Sequence, residues 1–548
     1  MKGIQEPRVA YMCMEYGLHE TLPVYAGGLG VLAGDYLKAA KDQNLPVIGI
    51  GILWSQDYTE QTIKDGRPVN YYENHDFEMV EPTGLEIKVE VRGEEVTCKI
   101  HKVDCYDNAT LYLLDAGYPG SKHGWMTKRL YHEAAQERVA AEIILGIGGV
   151  RAIRALGLEV DIYHLNEGHA VFCGLELIRE KMQLSNLSFH EAWEETRREI
   201  VFTTHTPVKA AHELHSLDFL SYMGAFNGLT QEQLMEIGGD PFNMTAASLL
   251  LSHLANGVSK LHGRTACRMW REIGKAACII SITNGVHKAT WQHPAIKKAF
   301  EQKGDLFAAH QENKARLIEY TRRNRNVQLN MDTLLVGFAR RAAPYKRSDL
   351  IFRAGDVIAP LLETGKLQLV FSGKAHPNDE TGNSIIERLV KMDYKYNDQV
   401  VFLENYNMEV ARLLVQGCDV WLNNPRRPME ASGTSGMKAA MNGVLNLSVV
   451  DGWVGEGVQH GISGWLIHTD LRESLNADEQ DEKDLKKLCH VLLEEVIPAY
   501  YQNRDHWCEM MRGSIDMSHW QFSTKRMIRE YYDLMYGPAM ETQQNKRE

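Results

Sequence analysis

The sequence predicts an α/β protein built as two doubly wound, Rossmann-like domains with a cleft between them. Three observations carry this. Short apolar runs recur in two series, separated by helix-like stretches, the pattern of layered α/β folds. The runs are near-continuously apolar rather than alternating, as suits strands covered on both faces. A charged, helix-periodic stretch at 293–326 with little strand character parts the two series.

The first series reads RVAYMCME (8–15), PVIGIGILW (46–54), VDIYHLN (160–166), EIVFTTH (199–205) and CIISITN (278–284). Residues 85–103, LEIKVEVRGEEVTCKIHKV, alternate apolar and polar and predict an exposed antiparallel hairpin inserted in the first domain. The second series reads TLLVGFAR (333–340), LQLVFSG (367–373), QVVFLEN (399–405), CDVWLNN (418–424) and VLNLSVVDG (444–452). Segment 479–501 reads as an acidic helix leading into another, and 522–537 as an amphipathic helix followed by a frayed tail of ten residues. The expected domains are therefore 1–325, 326–515 and a terminal piece, 516–548, whose helix crosses back to the first domain.

Composition narrows the function. The 548 residues are 44% hydrophobic and 24% charged, an ordinary globular balance. No run reaches the roughly 18 apolar residues of a membrane helix, and the N-terminus lacks the apolar core of a signal peptide. A formal net charge of −12 has the wrong sign for a polyanion binder. Nine cysteines, scattered with no CxxC, predict reduced, buried thiols and a cytoplasmic location. Basic clusters at 340–347 (RRAAPYKR) and 423–428 (NNPRRP) read as solvated surface or as a site for a small anion.

In doubly wound sheets ligands bind beyond the carboxyl ends of the strands, and the polar motifs sit there. YAGGLGVLAGDYLKAA (25–40) carries Gly28-x-Gly30-x-x-Ala33, a turn that lets backbone N–H groups approach an anion or simply packs a helix tightly. His169, His205 and His287 follow strands but do not form a compact ligand pair, so hydrogen bonding to a small molecule is favoured over a metal. Arg341 and Lys346 combine a rigid fork with a mobile ammonium, suited to a phosphate-sized dianion. The stretch PMEASGTSGMKAAMNG (428–443) places Gly433, Ser435 and Gly436 before a helix that carries Lys438. Its glycine spacing is not that of a nucleotide P-loop, and Ala439 stands where that loop needs a hydroxyl. A lysine in this setting fits either an imine with a phosphate-bearing aldehyde cofactor or a Gly-capped surface helix.

EASGTSGMKAAMNG closely resembles the pyridoxal-phosphate signature of the α-glucan (glycogen, starch, maltodextrin) phosphorylases. EYGLHETLPVYAGGLGVLAGDYLKAA, HLNEGHA, FTTHTPV, ITNGVH, YKR, SGKAHP and FLENY resemble further blocks of that family, in its order, from about residue 8 to 537. The likeness is to the compact bacterial and archaeal form. It implies a GT-B fold and reversible phosphorolysis of α-1,4-glucan, with orthophosphate, to glucose 1-phosphate with retention. It implies that Lys438 holds pyridoxal 5'-phosphate, whose own phosphate works as acid and base. Thr434, Ser435, Gly436, Tyr406 and Trp291 would line that cofactor, and Arg341 and Lys346, with the Gly28 N–H, would hold the substrate phosphate. Glu430, Ser432, Gly433, Asn284, Tyr345 and His205 match positions that hydrogen-bond the glucosyl hydroxyls, with the His205 carbonyl facing the developing positive charge.

The chain departs from the family pattern at His132-Glu133-Ala134, where a Gly-Gly-Asp turn is usual, at Ala140-Ala141, where Lys-Gln is usual, and within VKAAHELH (208–215). Two rival readings are a sugar-nucleotide-dependent GT-B glucan synthase, which would need no cofactor lysine, and a non-catalytic glucan-binding descendant. Family members are commonly homodimers; the sequence carries no interface signal, and implies no nucleic-acid, membrane or metal partner.

Overall fold

The computed structural model describes residues 6–132, 134–208, 212–469 and 476–544. Glu133, Lys209, Ala210 and Ala211 among the divergent positions, the first five residues and the last four lie outside the described residues. The chain divides into two compact units. One holds the residues up to Tyr58, Tyr72–Asn284 and the stretch from Thr524; the other holds Thr59–Tyr71 and Gly285–Ser523.

The first unit is built on nine strands in the order Cys278–Ser281, Leu254–Gly257, Ile200–Thr204, Ile162–Asn166, Val9–Met12, Val47–Ile52, Leu111–Asp115, Glu94–Val103, Glu81–Val91. The first seven are mutually parallel. The 85–103 hairpin is antiparallel, but it extends the main sheet through Leu111–Asp115. Val89, Val91, Val96, Cys98 and Ile100 are buried on one face while Glu86, Lys88 and Glu90 face water, which is why this segment alternates and its neighbours do not. Strand order reverses between Val9–Met12 and Ile162–Asn166, creating a switch point at their carboxyl ends.

Helices Thr524–Tyr531 and Gly537–Gln544, joined by a π-helical turn, close the same unit. Tyr536 Oη lies 2.7 Å from both Tyr36 Oη and His164 Nδ1. His164 Nε2 is 2.7 Å from Thr203 Oγ1, which donates to Asn256 Oδ1 at 2.6 Å. A buried polar chain thus ties these helices to three central strands. The expected ten-residue frayed tail is overturned in part: helix continues to Gln544, with Ala539 fully buried.

The second unit is a six-stranded, wholly parallel sheet in the order Val400–Leu403, Leu367–Ser372, Leu334–Ala339, Val420–Asn423, Leu445–Val449, Gly464–Ile467. Its switch point lies between Leu334–Ala339 and Val420–Asn423. Residues 285–325 belong with this unit, earlier than the boundary near 325 read from the sequence. Lys314, inside helix Leu306–Arg325, is buried and donates to Asp419 Oδ2 at 2.6 Å and to the Thr333 carbonyl at 2.7 Å. The hairpin Glu60–Lys64/Arg67–Tyr71 also joins it, because the Gln61 amide exchanges two hydrogen bonds with the Ala375 backbone and Ile63 N donates to Glu404.

All nine cysteines are free thiols. Five are buried as expected, but Cys105, Cys267 and Cys278 are exposed and Cys508 is intermediate. Among the described residues no helix is long and apolar enough to cross a membrane.

Candidate active site

In the second unit, Arg340 follows strand Leu334–Ala339 directly and bonds the Asn423 amide oxygen at the end of Val420–Asn423. The two strands that flank the switch point are thereby joined at their carboxyl ends. The other Arg340 nitrogen donates to Glu430 Oε1 at 2.7 Å. A short 3-10 turn, Pro344–Lys346, brings Lys346 Nζ to 3.1 Å from Glu430 Oε2. All three side chains are more than four-fifths buried. Burial alone would raise the Glu430 pKa, but Arg340 and Lys346 hold it down at about 2. Tyr345 lies beside Lys346, whose ammonium sits 4.8 Å over its ring. Burial pushes the Tyr406 phenol up to about 12, against the Arg340 charge.

Residues 431–438 leave this ion-pair group for a seven-residue helix, Ser435–Met441. Gly433 has φ +77°, and a Cβ there would come within 2.9 Å of the Arg340 guanidinium, so the turn requires glycine. Ser432 is 3% exposed, and among the described residues its hydroxyl has no hydrogen-bond partner. Thr434 precedes the helix without a side-chain cap bond, and Ser435 Oγ accepts from Trp421 Nε1 at 3.2 Å. At Gly436 a Cβ would meet Asn446 Oδ1 at 2.5 Å. Lys438 is buried, with Nζ 3.7 Å above the ring of Trp291. The Trp291 carbonyl accepts from Asn442 Nδ2 at 2.9 Å and from Gln416 Nε2 at 3.1 Å. The ring and the amine are therefore held in register by neighbouring amides.

The basic clusters divide. Arg347, Arg426 and Arg427 are not anion ligands: Arg347 bonds Asp481 at 2.9 Å and Asp484 at 2.8 Å, and Arg426 grips Asp481 with two bonds. Arg427 lies 3.9 Å from Asp484. Their partners come from the acidic helix Ala477–Val491, so these charges pin that helix under the loop. Arg341 is exposed and, among the described residues, makes no ion pair; its neighbour Arg340, which the sequence reading did not single out, pairs with Glu430.

The first unit gathers a separate set at its own switch point. Glu15 follows the first strand and accepts from Ala26 N, Gly27 N and Tyr131 Oη at 2.7, 3.0 and 2.8 Å. This orders the glycine turn, where Gly30 abuts Glu15 while a Cβ at Gly28 would meet open space. Gly28 begins helix Gly28–Asp42, which has no side-chain cap. Glu167 takes φ +70°, ψ 171°, a conformation nearly confined to glycine. Its carboxylate accepts from His205 N at 2.8 Å and Thr206 Oγ1 at 3.1 Å. His205 Nε2 is 2.6 Å from Asn166 Oδ1. Burial, then the neighbouring His262 and His169, push the His205 pKa down to about 3, so its ring is neutral at ordinary pH. Asn284 is 4% exposed, and among the described residues its Oδ1 has no hydrogen-bond partner. His287 satisfies Thr290 locally, at 2.8 Å.

Comparison with known proteins bears on these two constellations. The carbohydrate phosphorylase profile matches residues 295–456, which contain the Lys346–Glu430–Lys438 region. Maltodextrin phosphorylase of Thermococcus litoralis is 37% identical over 98% of this chain and 71% of its own length. The chain belongs to the carbohydrate phosphorylase family. Glycogen phosphorylase of Aquifex aeolicus is 33% identical, over 97% of this chain and 86% of its own length. An uncharacterized protein of Methanocaldococcus jannaschii is 31% identical and matched over 99% of its length.

This phosphorylase-family chain also places groups at the site that sequence reasoning missed. Asp451 is fully buried beneath the loop and accepts from Glu430 N and Gly452 N, each at 2.9 Å. Burial pushes its pKa up to about 7, against those two hydrogen bonds. An aspartate closing the apolar run VLNLSVVDG was the available signal. Glu167 was equally visible inside HLNEGHA, but its left-handed backbone and its grip on His205 depend on two strands distant in sequence.

Proposed function

We propose that this chain catalyses the reversible phosphorolysis of α-1,4-glucan by orthophosphate, releasing glucose 1-phosphate with retention of configuration. The GT-B arrangement of the two units as domains and a cytoplasmic location belong to the same reading. The observation that carries it is the buried Arg340–Glu430–Lys346 group, joined through one glycine turn to a buried lysine on an aromatic face. The relatives named for maltodextrin and glycogen support the substrate class.

The residues present fit pyridoxal phosphate. Lys438 is a buried amine on the Trp291 ring, and Ser432 is an orphaned hydroxyl beside the turn. Lys438 would hold the cofactor, with Thr434, Ser435, Gly436, Tyr406 and Trp291 around it. When bound, the cofactor supplies a phosphate group able to give and take a proton. The chain's own residues supply the rest. Arg341 and Lys346, with the Gly28 N–H, bind and neutralise the substrate phosphate. Glu430, held ionised, accepts from sugar hydroxyls and fixes the ring, with Ser432, Gly433, Tyr345 and Asn284. Cleaving an acetal develops positive charge at the anomeric carbon. A neutral His205 adds no opposing charge there, and its carbonyl would offset the developing charge.

Borohydride reduction of protein supplied with pyridoxal phosphate, followed by peptide mass mapping, tests this alongside assay of glucose 1-phosphate from a maltodextrin and phosphate. A pyridoxyl adduct on Lys438 with phosphate-dependent product is expected. An unmodified Lys438 and no product would return the chain to a sugar-nucleotide transferase or a binding protein.

A further inference from the structure

The geometry points to a divalent transition-metal site in the first unit, formed by Glu142, Glu213 and His215. One ligand atom from each lies within 4.8 Å of the others. Glu142 lies in the last turn of helix Ala135–Ile143, His215 lies on strand Leu214–His215, and Glu213 immediately precedes that strand.

Two observations lift this above a chance cluster of acids. Among the described residues, Glu142 is 1% exposed and its Oε2 has no hydrogen-bond partner; His215 is 5% exposed and its Nε2 makes no hydrogen bond, only a 3.3 Å ion-pair contact with Glu213 Oε1. Both are buried metal-binding atoms without a well-formed hydrogen bond among the described residues, within the same few ångströms. Among the described residues Glu213 Oε1 also lacks a hydrogen bond, although it lies 3.3 Å from His215 Nε2 and 3.3 Å from Arg138 Nε. Arg138 is at the solvent rim, 42% exposed, and Glu213 itself stays 21% exposed, which leaves an entry path for an ion. A dication would satisfy all three groups at once.

The donor set names the ion class. Two carboxylates and one imidazole suit Zn²⁺ or Mn²⁺, whereas Mg²⁺ and Ca²⁺ prefer oxygen alone. Zinc takes these ligands at about 2.0–2.2 Å and completes its shell with water, so the three groups need to close by about an ångström. The ion would staple the helix to the far end of the segment that opens with His205 and Thr206, whose near end Glu167 already holds.

Zinc titration of EDTA-stripped protein against a chromophoric chelator, with elemental analysis, tests the site without cofactor or activity, so its failure is separable from that of the phosphorylase reading. One zinc per chain and a raised thermal midpoint are expected. The affinity should fall at least about 30-fold in both Glu142→Gln and His215→Ala. Should either variant fail to fold, Glu213→Gln at the rim takes its place, and Co²⁺ loaded into the unaltered chain should give d–d absorption of a nitrogen–oxygen site. Sub-stoichiometric binding at micromolar zinc, affinity unchanged in the variants, or a Co²⁺ spectrum of the free aquo ion would each overturn the proposal.

Discussion

At the scale of single residues, the site is governed by which charges share a partner. Glu430 stays ionised in a buried position because two cations touch it, and Asp451 just below lacks such help. Asp451 has an ordinary value of 3.8 and a folded value of about 7. Between these values the folded chain keeps a proton that the unfolded chain has lost, so this group's contribution to stability falls as pH rises from about 4 to about 7 and is level above. The rise from 3.8 to about 7 corresponds to at most about 4 kcal/mol. Denaturant unfolding of wild type and Asp451→Asn across this range should give a stability difference that shifts in the variant's favour as pH rises. A difference independent of pH would dismiss the assignment. The identities of Lys346, Lys438 and Glu430 were legible in the sequence as motif residues. Which arginine meets Glu430 was not, because Arg340 and Arg341 are adjacent and only the strand's exit direction buries one and exposes the other.

At the scale of elements, the 430–443 segment works as a turn pressed between two strand ends and a short helix. Gly452 closes it from below: φ is +56°, and a Cβ would lie 2.4 Å from the Ser432 carbonyl oxygen. The left-handed backbone alone costs an alanine about 1–2 kcal/mol, and the contact forces Ser432 to move. Gly452→Ala is therefore expected to lower thermal stability and to cut glucose 1-phosphate release at least tenfold. Calorimetry and a phosphorolysis assay check both, and unchanged kinetics would mean that the Ser432 position is not critical. The strands that read correctly from the sequence were buried, apolar and bounded by turns. Leu254–Gly257, with sequence LANG, has no such signature and is a strand only because two parallel neighbours bond it.

For the molecule as a whole, the two units carry separate cores, and the end of the chain belongs to the first. Met527, Ile528, Tyr531, Tyr532, Met535 and Tyr536 are buried in that core, together with the Tyr536–His164 bond. A chain ending at Ser523 should lose the first unit's cooperative unfolding transition and retain the second's, as read by scanning calorimetry. Equal unfolding enthalpies for the truncated and 548-residue chains would refute this. The amphipathic pattern of 522–537 revealed a helix with a face to bury, but the sheet it covers was fixed by hydrogen bonds reaching back to Tyr36 and His164.

By itself the sequence determined the α/β class, most strand positions, the family and the motif lysines. Those follow from local apolar periodicity and from residue types that few other chemistries require. Tertiary structure alone decided which polar groups share a buried space: Arg340 with Glu430, Asp451 beneath them, Arg347 and Arg426 with the acidic helix, and Glu142 beside His215. Such pairings join segments far apart along the chain, and their energies depend on burial and distance, which no local pattern encodes.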